Sequence, residues 1–188
     1  MQRCFDRVIA LVPVLGVLGC SDPVPASSAV GLTVNVTQSA SCPITTGLPD
    51  DIGNPPPDST GSAGVGTRIF DGEGGVSVQC SVRAAGNDSY TVSASISSTN
   101  PRVAMSIQNA TVTAGAGMAT IGLSTAGIGI TVQSPPETPC TLQVVSTSEG
   151  LKVKPGAIWT RFNCSKLINV PSPICGAYGE VVLENCSK

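Results

Sequence analysis

Carboxylates are the side chains of this 188-residue sequence most able to do chemistry, because histidine is absent altogether. Without an imidazole, Ser-His-Asp and Cys-His nucleophilic catalysis are excluded. A Ser-x-x-Lys arrangement is also missing: the residue three before each lysine is Glu149, Leu151, Asn163 or Asn185. Closely spaced glycines such as Gly72/Gly74 and Gly127/Gly129 lack the third glycine of a dinucleotide fingerprint and lie between strand patterns, where turns explain them. Asp50, Asp51, Asp58, Asp71 and Glu73 are concentrated in one quarter of the chain. Such groups can act as hydrolytic acid and base, or bind calcium together with backbone carbonyls. "FDGEGG" (70–75) has neither EF-hand spacing nor a glycine-rich calcium repeat, so acids in exposed turns are the first expectation. Asp50, Asp51, Asp71 and Glu73 stand as candidate ligand-binding residues, with a carboxylate-based hydrolase ranked last.

Trp159, in "PGAIWTRFNC", is the single tryptophan and the other candidate contact for a ligand, here a glycan stacked on the indole. Sugar platforms usually carry several exposed aromatics, and this chain has few. A packed strand tryptophan is the plainer expectation.

Eight cysteines occur, Cys4 and Cys20 within the first twenty residues and Cys42, Cys80, Cys140, Cys164, Cys175 and Cys186 beyond. With no histidine and no Cys-x-x-Cys, the usual zinc and iron–sulfur spacings are missing, and no metal or other cofactor is expected. The even set of six points to disulfides made in an oxidising compartment. Three pairings are expected out of fifteen. Cys42–Cys80 closes the loop between them, Cys164–Cys175 closes a second, and Cys140–Cys186 pins the last strand. Cys164 and Cys186 sit at opposite ends of an expected antiparallel strand pair, too far apart to bond.

The N-terminus has a basic start with Arg3 and Arg7, then a twelve-residue apolar run from Val8 to Gly19. That length suits the apolar core of an export signal, whereas a spanning helix needs about 20 residues. Val17-Leu18-Gly19-Cys20 resembles the lipobox of bacterial lipoproteins. The resemblance implies cleavage before Cys20, a diacylglyceryl group on its sulfur and acylation of the new α-amine. Residues 1–19 would then be the signal peptide and 20–29 a tether to the membrane. Ser21 implies outer-membrane sorting by the habit of that family. The alternative is plain secretion after cleavage at Ala26 or Ala29 in "VPASSAV".

After residue 19 the chain carries eight Lys or Arg and eleven Asp or Glu, a balance of −3 with no basic run. Nucleic-acid binding has no electrostatic footprint in such a pattern. The five Asn-x-Ser/Thr triplets are what Ser- and Thr-rich strands and turns generate by chance.

What positions any of these residues is a set of strands. Apolar residues alternate with polar ones at Val30/Leu32/Val34/Val36, Val76/Val78/Cys80/Val82 and Tyr90/Val92/Ala94/Ile96. Val103/Met105/Ile107, Ile128/Ile130/Val132 and Cys140/Leu142/Val144 continue the series. Period two marks strands with one buried face, and no segment has helical periodicity. The expected fold is all-β, a disulfide-stapled antiparallel β-sandwich (Ig-like or jelly-roll-like, or a flattened barrel) of eight to ten short strands. It forms one domain over 30–188, with a long Pro/Gly/Asp-rich loop at 43–66. The leading functional expectation is a non-enzymatic, lipid-anchored envelope protein that is structural, adhesive or bound to another envelope component. The second is a module binding glycan or calcium.

Overall fold

The computed structural model describes residues 27–37, 42, 50–53, 67–126, 128–147, 150–169 and 174–188. Segment 1–19, Cys20, the tether up to residue 26 and Asp58 lie outside the described residues.

Among the described residues every regular element is a strand, apart from one 3-10 turn at Glu73–Gly75. In order the strands are β1 (Ala29–Thr37), β2 (Asp50–Ile52), β3 (Ile69–Phe70), β4 (Val76–Gly86), β5 (Ser89–Thr99), β6 (Arg102–Thr113) and β7 (Ala116–Thr125). There follow β8 (Thr131–Gln133), β9 (Cys140–Val144), β10 (Ser146–Thr147), β11 (Gly150–Leu151), β12 (Val153–Lys154), β13 (Ala157–Ile168) and β14 (Ile174–Glu184). Among these fourteen, eight are five residues or longer, and the remainder are short pieces without room for a visible alternation.

Twelve strands join one antiparallel sheet in the order β2-β1-β14-β13-β8-β7-β6-β5-β4, with β9 between β13 and β7. β3 lies beside β1 and β12 beside β13. The strands β4 to β7 form a meander whose three turns are each two residues long, and two of these are built on residues of positive φ. Asn87 and Asp88 have φ of 49° and 53°, and Ala114 and Gly115 of 50° and 83°. These left-handed pairs give the turns whose twist matches that of the flanking strands. The inward faces of both halves of the sheet meet in one core, from Val30, Leu32 and Val34 to Val78, Val82, Ile96, Met105 and Leu123.

The sheet returns on itself at the C-terminus. The Val82 amide donates to Ser187 O (2.9 Å), and the Ser187 amide donates to Cys80 O (3.0 Å). The Gly156 amide donates to Val82 O, and that of Cys186 to Gly156 O (both 2.9 Å). The tail and Gly156 thus occupy backbone groups of Cys80 and Val82 in β4, the outer strand of the meander, which covers that part of its edge.

All six expected cysteines are bonded, but each expected pairing is replaced. Cys42 bonds Cys175, Cys80 bonds Cys186, and Cys140 bonds Cys164. Cys140–Cys164 arises because β9 pairs with β13 (Phe162 opposite Leu142, Asn163 opposite Thr141), which sets the two cysteines face to face. Cys164–Cys175 fails because the register of β13 on β14 puts Ala177 opposite Cys164, and Leu167 opposite Cys175. Cys80 lies beside the returning tail and bonds Cys186, so Cys80 loses the expected partner Cys42 and Cys186 the expected partner Cys140. The expectation that β13 and β14 run antiparallel, with Cys164 and Cys186 apart, agrees with their register.

The loop at 43–66 is not one excursion. β2 interrupts it and pairs with β1, bringing Ile52 opposite Leu32, where it is buried. That burial contributes about 1.5–3 kcal/mol, enough to hold a three-residue strand in an otherwise polar stretch. β3 then continues along the same side of β1. Gly53 has φ of +65°, and a Cβ there would strike the Thr67 carbonyl, so the two ends of the 54–66 segment meet closely. At the start of the domain β1 already includes Ala29, and Ser27 and Ser28 are hydrogen-bonded to the fold. The end assigned to the tether therefore belongs to the domain.

Candidate functional site

The expected carboxylates do not form one site. Asp71 and Glu73 share the turn after β3, and each has a backbone partner. Asp71 Oδ1 accepts from the Val78 amide at 2.7 Å, and Glu73 Oε2 accepts from the Phe70 amide at 3.2 Å. Both thus act as turn acceptors for amides of the strands that flank the turn, Val78 of β4 and Phe70 of β3. Asp51 lies opposite Thr33, whereas the Asp71 amide donates to Ser28 O. Five residues along β1 separate these points, about 17 Å of strand. Asp50 pairs with Val34 through the backbone, and its side chain lies outside the description. Among the described residues, no group of three or more His, Cys, Asp or Glu is placed to hold a metal ion.

Trp159 leads instead to a groove that the carboxylates do not share. The register sets side chains in rows across the outer face of β3, β1, β14, β13 and β12. One row reads Phe70, Ala29, Glu184, Ala157 and Lys154, and the next Arg68, Gly31, Val182, Trp159 and Lys152. Ala29, Gly31, Ala157 and Val182 are the short side chains of these rows, and the longer Arg68, Lys152, Lys154, Trp159 and Glu184 rise around them, so the surface sinks between. The resulting groove has a volume of about 440 Å³ and is bordered by Arg68, Lys152, Lys154, Trp159, Val182 and Glu184. A shallower depression continues from it past Gly156 to Asn185 and Lys188.

The groove wall is held by main-chain bonds. The Trp159 amide donates to Lys152 O (2.8 Å), the Lys152 amide to Val145 O and the Val145 amide to Trp159 O (both 3.0 Å). The indole itself is pinned from one side: Trp159 Nε1 donates to Glu180 Oε2 at 3.3 Å. Glu180 lies in the row below, where Arg161 Nε meets its other oxygen at 2.7 Å. Across the groove Arg68 Nε is 3.5 Å from Glu184 Oε1. Three cationic side chains and one carboxylate border the groove, in a chain whose net charge is −2.

Trp159 is half-buried: it packs on its strand and also lines the groove. Sequence reasoning missed Arg68, Lys152, Lys154 and Glu180. For the lysines a signal was present, since "LKVKPGAIWTRF" has Lys-x-Lys alternation, a Pro-Gly turn and a strand, which sets Lys152 opposite Trp159. For Arg68, which reaches the groove only because β3 pairs with β1, there was none.

No protein-family model, no curated protein sequence and no solved structure matches this chain.

Proposed function

We propose that this chain is a non-enzymatic protein fastened by lipid to a bacterial envelope, where its β domain has a structural, adhesive or protein-interaction role. The observation that carries the reading is the apolar run ending in Val17-Leu18-Gly19-Cys20, directly before a disulfide-bonded domain. Disulfides form and persist outside the reducing cytoplasm, which supports an exported address. The bond of Ser27 O with Asn185 Nδ2 fixes the chain at the corner of the domain, only seven residues after Cys20.

A second reading, a ligand-binding module, is favoured by the groove at Trp159. Glycan suits it better than calcium, since Asp71 and Glu73 are engaged with amides and the groove border is cationic.

The test is the intact mass of the protein taken from its native membrane fraction, before and after reduction. The expected mass is that of Cys20–Lys188 plus acyl chains, rising by about 6 Da as three disulfides open. An unlipidated chain beginning near Ser27 or Val30 overturns the anchor and makes the protein freely secreted.

A further inference from the structure

From the groove we infer a binding site for a neutral glycan chain, held through its hydroxyl groups and the apolar face of one ring. The inference rests on the second reading above, to which it gives a ligand class, and is independent of the lipid anchor.

Arg68 and Lys152 are both engaged within the protein, and Arg68 Nε lies 3.5 Å from Glu184 Oε1 inside the groove itself. An anion would have to compete with Glu184 for that guanidinium, so it exchanges one ion pair for another and leaves the carboxylate beside it. A bare cation meets the lysines instead. A ligand without charge disturbs neither. The pair still serves such a ligand, because the Glu184 side chain stays 45% exposed and offers acceptor oxygens next to a donor. Asn185, Lys154 and Lys188 continue this mixture of donors and acceptors along the adjoining depression. A hydroxyl group both donates and accepts, so a sugar matches a border of both kinds.

The indole supplies the apolar counterpart. Its Nε1 is engaged by Glu180, which does not border the groove, while Trp159 does. A ring held in advance offers its apolar surface to the C–H face of a sugar with little ordering cost. Shape then favours a chain over a single ring. The groove, at 440 Å³, falls within the roughly 300–1,000 Å³ of small-ligand sites. It does not end at Glu184, because Lys154, Ala157 and Glu184 border both the groove and the depression that runs on to Asn185 and Lys188. From Val182, opposite Trp159, to Asn185 is about 10 Å of extended chain, longer than one sugar ring.

Trp159 is the only tryptophan, so intrinsic emission reports on this groove alone. The experiment uses the chain from residue 20 with Cys20→Ser, which removes the lipid but none of the domain. It is titrated with cellotetraose, maltotetraose and tetra-N-acetylchitotetraose, with the monosaccharide of each, and with tetragalacturonate as the charged chain. We expect a saturable change in emission with at least one neutral tetramer, at an affinity about tenfold or more above that of its monosaccharide. Tetragalacturonate is expected to bind no tighter than that tetramer. Ala157→Gln puts a longer side chain where groove and depression join, and is expected to lower the affinity about tenfold or more while near-UV circular dichroism is kept. Undiminished binding by this variant overturns the proposal, as does equal affinity for tetramer and monosaccharide. The second comparison needs no variant, so it decides even if Ala157→Gln fails to fold. Binding of tetragalacturonate alone, or tighter than every neutral chain, overturns the neutral class and leaves the glycan reading standing. Silence toward every probe overturns both. Because no acyl chain is present, failure here leaves the mass test of the anchor unaffected.

Discussion

Arg161 and Glu180 face each other across β13 and β14, with Arg161 Nε–H at 2.7 Å from Oε1 of Glu180. The other oxygen of the same carboxylate receives the Trp159 indole at 3.3 Å. One acid thereby orders a cation and an aromatic from the neighbouring strand. It is the link between the polar outer face of the sheet and the wall of the groove.

Glu180→Ala is therefore expected to loosen Trp159 as well as to remove an ion pair. The pair is partly solvated, so the stability loss is about 1 kcal/mol, read by urea unfolding. The sharper readout is a red shift of tryptophan emission in the folded protein, because the indole loses its fixed acceptor. Glu180→Gln keeps one acceptor oxygen, which can serve the indole while its NH2 group replaces the oxygen facing Arg161, and is expected to restore most of the native emission but not the ion pair. A native spectrum in the alanine variant would mean that packing alone holds the ring.

Disulfide removal is expected to follow the length of chain each bond closes. The sequence separations are 133 for Cys42–Cys175, 106 for Cys80–Cys186 and 24 for Cys140–Cys164. Loop entropy gives about 5 kcal/mol for each of the first two and about 3.5 kcal/mol for the third. Paired Cys→Ser variants, compared by denaturant midpoint, are expected to rank in that order. Peptide mapping without reduction checks the connectivity directly, and a Cys42–Cys80 peptide would contradict this fold.

Ala114 has φ of 50° at the first turn position between β6 and β7, where a side chain with a Cβ is strained and Asn is the preferred L-residue. Ala114→Asn creates an Asn-Gly turn with Gly115 and is expected to stabilise the domain by about 0.5–1 kcal/mol. Differential scanning calorimetry would register this as a rise of roughly 1–4 °C.

Asp71→Ala removes the acceptor of the Val78 amide and is expected to cost about 1 kcal/mol. Millimolar calcium is expected to leave the melting temperature of the unmutated protein unchanged, since this carboxylate serves the turn. A calcium-dependent rise that disappears in the variant would restore the cation reading.

How far the chain explains itself depends on the range of the interaction concerned. Val76, Val78 and Val82 announce β4 because a strand with one wet face needs only residues two apart to agree. The alternation at Ile128, Ile130 and Val132 is less faithful: β8 starts at Thr131, and Ile130 is exposed on a bend. In β6 the buried series changes from Val103, Met105 and Ile107 to Ala110 and Val112. A bulge at Asn109, with φ of 52°, changes the parity, and only pairing with both neighbours reveals it. Disulfide partners are harder still. Cys140 meets Cys164 because β9 enters between β7 and β13, a choice of neighbours that no local pattern encodes. The groove combines both cases. Lys152 and Trp159 belong to one hairpin and were readable, but Arg68 arrives from a strand eighty-four residues earlier.

The attachment of Ser27 beside Asn185 has a spatial consequence. Residues 21–26 and their joining bonds reach no farther than about 25 Å when fully extended. With an acylated Cys20, the domain is leashed by the corner where β14 ends, and Glu184 of the groove is next to that corner. The groove then searches a thin layer over the bilayer in two dimensions rather than the open periplasm or medium. A sugar attached to that same membrane would be met at an effective concentration on the order of millimolar. Even a weak affinity for each sugar would keep such a groove occupied, whereas the same sugar free in solution would pass largely unbound.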